Sequence, residues 1–328
     1  MSEKILVALS WAGKIAAAPA AIATLRERGW EVVFNKTGGN LTEADLIETL
    51  PGVSAAIAGS DKFTAKALAA ADNLKVISRV GVGFDAIDVP AATAKGIVVT
   101  TSPTQELFEA MAEQTIGSMI AVSRAICFSD RQLKNGKWTR SFAPSIFHQT
   151  LGIVGLGRIG KEVAKLARAF HMQILCFDVY HDDAFAKEWG ITYVDLPELL
   201  READYVTIHT PLTPETRGLI NRERLRHMKP TAYLVNTSRG PVVDEEALYW
   251  ALDNKVIAGA ASDVFQKEPV EPHNPLLKLD NFVGTPHVGG LSLQATDSLF
   301  AQATKSVVDV LEGRKPYLVV NPEVYEKK

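Results

Sequence analysis

Three features of the 328-residue chain predict an α/β protein built from two parallel-sheet domains. Short apolar runs alternate with helix-patterned segments along nearly the whole length, the signature of parallel strands joined by crossover helices. The alternation breaks at Pro103 and the long helix-patterned stretch behind it. It then resumes at residues 151–160, LGIVGLGRIG, where an apolar strand runs straight into a glycine-rich turn. At the usual ~150 residues per domain, the length accommodates two separate cores.

Taken in order, KILVAL is patterned as a strand, AAIATLRERG as a helix closed by Gly29 and WEVVFN as a strand. LTEADLIETL follows as a helix that Thr42 is placed to cap, its hydroxyl accepting from a backbone N–H of the first turn. VSAAIAG, the helix TAKALAAADN and LKVISRV continue the rhythm. Behind the last strand stands Arg79-Val80-Gly81-Val82-Gly83, whose glycines can turn backbone N–H groups toward an anion such as a substrate carboxylate; a plain glycine-rich turn is the other reading. Gln105–Ser123 reads as one helix between the two αβ halves. The polar residues 130–150, broken by Gly136 and Pro144, read as an exposed arm suited to a second subunit, or as a surface loop. From Leu151 come the strand candidates LGIVG, MQILCF, ITYV, YVTIHT, TAYLVNT, VIAGAASDV and NFVGT, with DLPELLREAD, NRERLRHM and DEEALYWALDN the clearest helices between them. The chain closes with the helix-patterned LQATDSLFAQATKSVVDVLEG and an extended YLVVNPEV.

Bulk properties narrow the function. A hydrophobic content of 47% with 22% charged residues belongs to a globular enzyme rather than a disordered chain. A net charge of −3 offers no basic face for nucleic acid. The opening MSEKILVALS reads as a strand rather than a signal peptide, and no apolar run is long enough to span a membrane, so a cytoplasmic protein is expected. Cys127 and Cys176 read as buried, reduced thiols, and no cysteine or histidine spacing suggests a metal.

The glycine-rich turn carries the first specific chemistry. Gly155 permits a tight strand-to-helix turn, Gly157 lets the backbone approach a pyrophosphate, and Gly160 lets the helix lie close to its strand. The helix opening at Arg158 and Ile159 then offers unpaired N–H groups and a positive dipole end to the phosphates. Asp178, at the end of ILCFD, suits the hydroxyls of an adenosine ribose and repels a 2′-phosphate, which points to NAD rather than NADP. With this fingerprint the second half is a Rossmann domain.

Ligands in open parallel sheets bind beyond the carboxyl ends of the strands, so the polar residues there are the next candidates. His209, Thr210, Pro211 and Thr216 form a cofactor-lining loop after YVTI, and Thr237, Ser238 and Arg239 follow YLVN. Asp263 ends GAAS, with Glu268 one loop turn on, while His287 and Gly289 follow FVGT. Hydride exchange with a carbinol carbon needs a group to take or supply the hydroxyl proton, and histidine suits this near neutral pH. A carboxylate beside an imidazole favours its charged form. A guanidinium holds a 2-oxo acid through its fork of donors. His287, Glu268 and Arg239 fill these three roles, and Asp263 is placed to accept the nicotinamide carboxamide proton. His148, His171, His181, His227 and His273 have no such setting.

These residues resemble the D-isomer-specific 2-hydroxyacid dehydrogenases over nearly the whole chain. GLGRIG with Asp178 is similar to the family's NAD site, HTPLTPETRGLIN to its second signature and MKPTAYLVNTSRGPVVDEEAL to its third; DVFQKEP and TPHVGG complete an Arg239/Glu268/His287 triad. The resemblance implies a Rossmann NAD-binding domain, residues 104–291, inserted in a smaller flavodoxin-like substrate domain, residues 1–103 plus 292–328. It implies as well that the substrate domain closes over the other, that Val82 and Gly83 hold the substrate carboxylate, and that two subunits pair through their Rossmann domains. Within the family, LKVISRVGVGFDAIDVPAATAKGI is most similar to phosphoglycerate dehydrogenases, with Arg79 a candidate for a substrate phosphate. Gly59 stands where a phosphate-handling enzyme would use a second arginine, and SPTQELFEAMAEQ departs from the usual Pro-Gly opening of the linker helix. Glyoxylate or hydroxypyruvate reduction is therefore the alternative. A NAD-sensing binding protein of the same fold is the reading from another class, disfavoured by the intact triad.

Overall fold

A computed structural model describes residues 2–16, 18–140 and 142–326. Ser141 of the expected arm, and the last two lysines of the tail, lie outside these. The chain divides into two compact units, Met1–Leu107 with Gly290–Lys328, and Phe108–Gly289.

In unit 1 the strands β1 (Lys4–Val7), β2 (Glu31–Phe34), β3 (Ala55–Ala58), β4 (Val76–Arg79) and β5 (Val98–Thr101) form a parallel sheet in the order β2-β1-β3-β4-β5. This is the flavodoxin-like winding. Helices α1 (Ala18–Arg26), α2 (Glu43–Thr49), α3 (Ala65–Ala69) and α4 (Val89–Ala94) make the crossovers. Thr42 caps α2 as its position predicted, in a reciprocal capping box with Asp45. Leu6, Leu46, Phe63, Ile77 and Val99 belong to one buried cluster. Neither α4 nor β5 was anticipated: each is short, and α4 declares itself through Asp88, which caps it by accepting from Ala91 N–H, and through Pro90 in its first turn.

Helix α5 (Gln105–Ser123) spans the residues expected, and Ala125 then turns the chain with φ +49° into α6 (Ile126–Lys134). The arm therefore begins as a helix rather than as loop. Because α6 buries none of its residues, Cys127 is exposed, contrary to the expectation of two buried thiols. Cys176 is buried, and burial pushes its thiol up to about 12, with Asp178 adding to the effect.

Unit 2 holds β6 (Thr150–Val154), α7 (Arg158–Arg168), β7 (Gln173–Phe177), α8 (Asp183–Trp189), β8 (Ile191–Tyr193), α9 (Leu196–Glu202), β9 (Tyr205–Ile208), α10 (Arg222–His227), β10 (Tyr233–Asn236), α11 (Glu245–Asp253), β11 (Gly259–Ser262) and β12 (Phe282–Gly284). All seven expected strands are present, ordered β12-β11-β10-β9-β6-β7-β8, the doubly wound Rossmann arrangement. Consecutive residues of β6 show why its run is continuously apolar: Ile153 belongs to one core cluster and Val154 to the other. A strand covered on both faces has no solvent side on which to alternate.

Residues after Gly289 rejoin unit 1, where α12 (Leu293–Leu311) packs on β3, β4 and α1. The tail is not extended throughout, since Pro322–Tyr325 form a 3-10 turn. Asn321 ties it down: its side chain accepts from Val99 N–H at 2.8 Å and donates to Thr93 and to the Ile97 carbonyl.

Candidate active site

The strand order places the polar candidates of unit 2 side by side. Asp178 follows β7, Gly155 follows β6, His209 follows β9, Thr237 follows β10, Asp263 follows β11 and Thr285 follows β12. In sheet order these are six neighbouring strands, so their carboxyl ends form one continuous edge.

The glycine turn fits a dinucleotide on steric grounds that can be checked atom by atom. A Cβ on Gly160 would stand 2.2 Å from the Gly155 carbonyl oxygen, so only glycine lets α7 lie this close to β6. Gly155 has φ +98° and abuts the backbone of His209 and Thr210 across the point where the winding reverses. Gly157, at the N-cap of α7, has no side-chain cap and nothing within 4 Å of its would-be Cβ, which leaves the helix end open for an anionic group. Arg158 is exposed in the first turn, its guanidinium 5.5 Å from the Phe108 ring, and Ile159 is half-buried beside it.

Asp178 accepts from Leu156 N–H at 2.6 Å and from Tyr180 N–H at 3.0 Å, so the carboxylate is locked against the glycine turn. Val179 and Tyr180 stand exposed immediately beyond it. Lys161 and Asp182 pair at 2.5 Å on the same rim. Across the turn, His209 Nε2 and Thr210 Oγ1 are buried polar atoms without hydrogen-bond partners, which suits a loop lining a polar ligand. Burial pushes the His209 imidazole down to about 3, so it is neutral at ordinary pH and cannot exchange charge there. Pro211 and Thr216 close the loop, with the Thr216 hydroxyl donating to the Pro211 carbonyl at 2.7 Å.

At the other end of the edge, His287 Nδ1 lies 2.7 Å from Glu268 Oε2. Glu268 Oε1 accepts from Phe265 N–H at 3.0 Å, which aims the carboxylate. Burial raises the Glu268 carboxyl, but the hydrogen bond and charge of His287, the Phe265 N–H and the Arg239 charge outweigh it, and the net shift is downward. Arg239 is brought near by Gly240: a Cβ there would fall 2.0 Å from the Phe265 carbonyl carbon, so the arginine loop and the Glu268 loop meet backbone to backbone. Asn236 stiffens the arginine loop, donating to the Arg239 carbonyl at 3.0 Å and accepting from Ser238 N–H at 3.0 Å. Sequence spacing suggested that Glu268 reaches His287, and the structure brings them into contact.

Asp263 is 1% exposed and accepts from the Thr285 hydroxyl at 2.5 Å, Val288 N–H at 2.9 Å and Gly289 N–H at 2.8 Å. Its carboxylate thus holds the loop that carries His287. Gly289 fits tightly there, because a Cβ would meet Asp263 Oδ2 and Met111 Sδ, both at 2.9 Å, and one of these side chains would have to move.

The 79–83 loop belongs to unit 1. Val80 N–H donates to the Ala58 carbonyl at 2.8 Å and Ser102 N–H to that of Gly81 at 2.9 Å, which pins the loop to β3 and β5. Gly81 has φ +135°, and the Arg79 guanidinium lies so close over it that a Cβ would stand 2.2 Å from Nη1. Val82 is exposed and Gly83 half-buried. The sequence reading overlooked Asp61, which is 1% exposed and accepts from Leu41 N–H at 2.7 Å and Gly59 N–H at 2.8 Å. Burial raises its carboxyl, while those two N–H groups and the Arg79 charge pull the other way; the net shift is upward. Its place just past β3 is a strand-end position, so the rule that found Asp263 would have found Asp61 as well.

Comparison with known proteins agrees with this geometry. Residues 116–289 match the family model described as D-isomer specific 2-hydroxyacid dehydrogenase, NAD binding domain. The chain is 44% identical to a glyoxylate reductase of Thermofilum pendens over 278 residues, covering 81% of this chain and 80% of that enzyme. It is 42% identical over 300 residues to a D-3-phosphoglycerate dehydrogenase of Synechocystis sp., covering 89% of this chain but only 53% of that longer enzyme. The crystal structure of the TT0316 protein from Thermus thermophilus superposes with a TM-score of 0.87 at 37% identity, covering 97% of this chain and 99% of that one. The chain belongs to the D-isomer specific 2-hydroxyacid dehydrogenases, NAD-dependent oxidoreductases acting on the CH–OH group of a 2-hydroxy acid.

Proposed function

We propose that the chain interconverts a small D-2-hydroxy acid and its 2-oxo acid, with His287 as acid and base. The observation that carries this reading is the 2.7 Å His287–Glu268 pair at a strand end of the dinucleotide-binding unit, with the Arg239 charge beside it. NADH, when bound, supplies the hydride that reaches C2. His287 gives its proton to the carbonyl oxygen in reduction and takes it back in oxidation, and Glu268 stabilises the charged imidazolium in between. Arg239 holds the acid's carboxylate and polarises its carbonyl. The 155–160 turn with Arg158 and Ile159 takes the pyrophosphate, and Asp178 the adenosine ribose. His209, Thr210, Pro211, Thr216, Thr237, Ser238 and Gly289 line the rest of the cofactor's path. Asp263 holds the His287 loop and would accept the nicotinamide carboxamide proton. The 79–83 loop receives the substrate.

Glyoxylate or hydroxypyruvate is the substrate reading favoured by Asp61: a buried carboxylate near Arg79 offsets a charge that a dianionic phosphate would need undivided. The glyoxylate reductase likeness extends over most of both chains, which supports the same reading. Phosphoglycerate dehydrogenation is the second, supported by Arg79 itself and by the Synechocystis likeness. We further propose a homodimer, since Trp138 and Phe142 of the arm are largely exposed. Two free cysteines fit a cytoplasmic setting.

The test is His287→Ala. It lowers kcat by ~10²–10⁴, as loss of a general acid does, with NADH affinity kept. Near-normal turnover with glyoxylate or hydroxypyruvate removes His287 from the mechanism.

A further inference from the structure

Two side-chain contacts of helix α5 end two residues from a proposed catalytic residue. Gln114 Nε2 donates to Thr285 Oγ1 at 3.1 Å, and Thr285 lies two residues before His287. Thr115 Oγ1 pairs with Thr237 Oγ1 at 2.9 Å, and Thr237 lies two residues before Arg239. Thr115 and Thr237 are both buried, so this contact is made out of water.

The direction of the first contact follows from counting protons. Thr285 has a single hydroxyl hydrogen, and the carboxylate of Asp263 at 2.5 Å can only accept it. The threonine oxygen must then accept from its other neighbour, which makes the Gln114 amide nitrogen the donor. The result is a relay running one way, amide to hydroxyl to carboxylate, in which each bond polarises the next. Its far end is the His287 loop. Asp263 Oδ1 accepts from Val288 N–H and Oδ2 from Gly289 N–H, while the Asp263 carbonyl accepts from His287 N–H at 2.8 Å. These bonds flank a backbone under strain, for His287 has φ +55°, a left-handed conformation that non-glycine residues rarely adopt. A residue in that state keeps its orientation only while its surroundings over-determine it.

We propose that Gln114 is a positioning residue for His287, acting through Thr285 and Asp263, and that α5 is the common template setting the His287 and Arg239 loops. The proposal rests on the assignment of His287 as acid and base. Gln114 hydrogen-bonds to Thr285 rather than to the imidazole or Glu268, so its effect is on where the loop holds the ring. Such displacements weigh on the chemical step more than on binding.

The experiment is a set of cycles measured with NADH and whichever of glyoxylate and hydroxypyruvate turns over faster, with NADH affinity read from fluorescence. Gln114→Met keeps length and removes the donor; it lowers kcat about tenfold, with NADH affinity within about twofold. Gln114→His restores a donor nitrogen and recovers most of the loss. In a Thr285→Val background Gln114→Met costs nothing more, because the relay is already cut. In a His287→Ala background it likewise costs nothing more. Equal losses from Gln114→Met in all backgrounds, or kcat unchanged in the single variant, overturn the proposal while leaving His287 in its role. Near-normal turnover of His287→Ala instead removes the reading of the active site, and the proposal with it.

Discussion

Alanine at two glycines of the same turn separates the fold from the cofactor site. At Gly160 a methyl group would sit 2.2 Å from the Gly155 carbonyl oxygen and 3.4 Å from Ile153 Cγ2. The oxygen is backbone, so no rotamer change relieves the clash and α7 must move off β6. Overpacking of this kind costs about 1–3 kcal/mol, against up to ~1 kcal/mol gained from alanine's helix propensity. At roughly 2–4 °C per kcal/mol for a unit of this size, the melting temperature of Gly160→Ala falls by several degrees. At Gly157 the backbone has φ −70° and a methyl group meets nothing within 4 Å. Gly157→Ala therefore costs the free protein about 1 kcal/mol or less, through a poorer helix N-cap. The same methyl stands where the pyrophosphate must approach, so NADH affinity falls about tenfold or more. Thermal melts and NADH fluorescence titrations of the two variants decide the matter. A Gly157→Ala protein that binds NADH like its parent, or a Gly160→Ala protein that melts like it, refutes the reasoning.

Asp178→Ala narrows the preference for NADH over NADPH, because the carboxylate that repels a 2′-phosphate is gone; an unchanged ratio of kcat/KM values contradicts the ribose assignment. Glu268→Gln lowers kcat roughly 10–100-fold, judged by what loss of a residue orienting a site ligand costs elsewhere. The same variant tests a pH dependence. The Glu268 carboxyl is lower in the folded chain, so its stabilisation is fully present above the ordinary value of about 4.3 and is lost as pH falls through the folded one. Acid unfolding of Glu268→Gln is correspondingly less steep, and identical acid transitions count against the pairing. Asp61→Asn, which removes the charge set against Arg79, improves kcat/KM for phosphohydroxypyruvate relative to hydroxypyruvate; an unchanged ratio shows that Asp61 plays no part in substrate choice.

What could be read from the sequence was whatever depends on local pattern. The seven strands of the Rossmann sheet are apolar runs bounded by turns, and the glycine fingerprint puts Gly155 where φ is +98° and Gly160 where no Cβ fits, leaving Gly157 open on its ligand side. The proposed triad rests on a single topological rule, that ligands meet the carboxyl ends of parallel strands, which turns a linear list of polar residues into neighbours. Short elements were harder. Strand β5 is four residues long and α4 six, and a run such as VVTT gains its identity from pairing beside β4. Cys127 was misplaced because a helical pattern says which residues share a face but not whether anything covers it. Gln114 and Thr115 sit mid-helix as ordinary polar residues, and only the tertiary partners Thr285 and Thr237 give them meaning. Asp61 lies within reach of the strand-end rule, two residues past Gly59 and three past the end of β3.

The central proposal is that His287, paired with Glu268, supplies the proton that completes reduction of a 2-oxo acid. The direct measurement is NADH consumption by the purified protein with glyoxylate, hydroxypyruvate and phosphohydroxypyruvate in turn. The account predicts turnover with the first two, weaker turnover with the phosphorylated acid, and loss of all three in His287→Ala. Tight NADH binding with no turnover of any of them contradicts it, and makes the chain a NAD-sensing protein on an enzyme's fold.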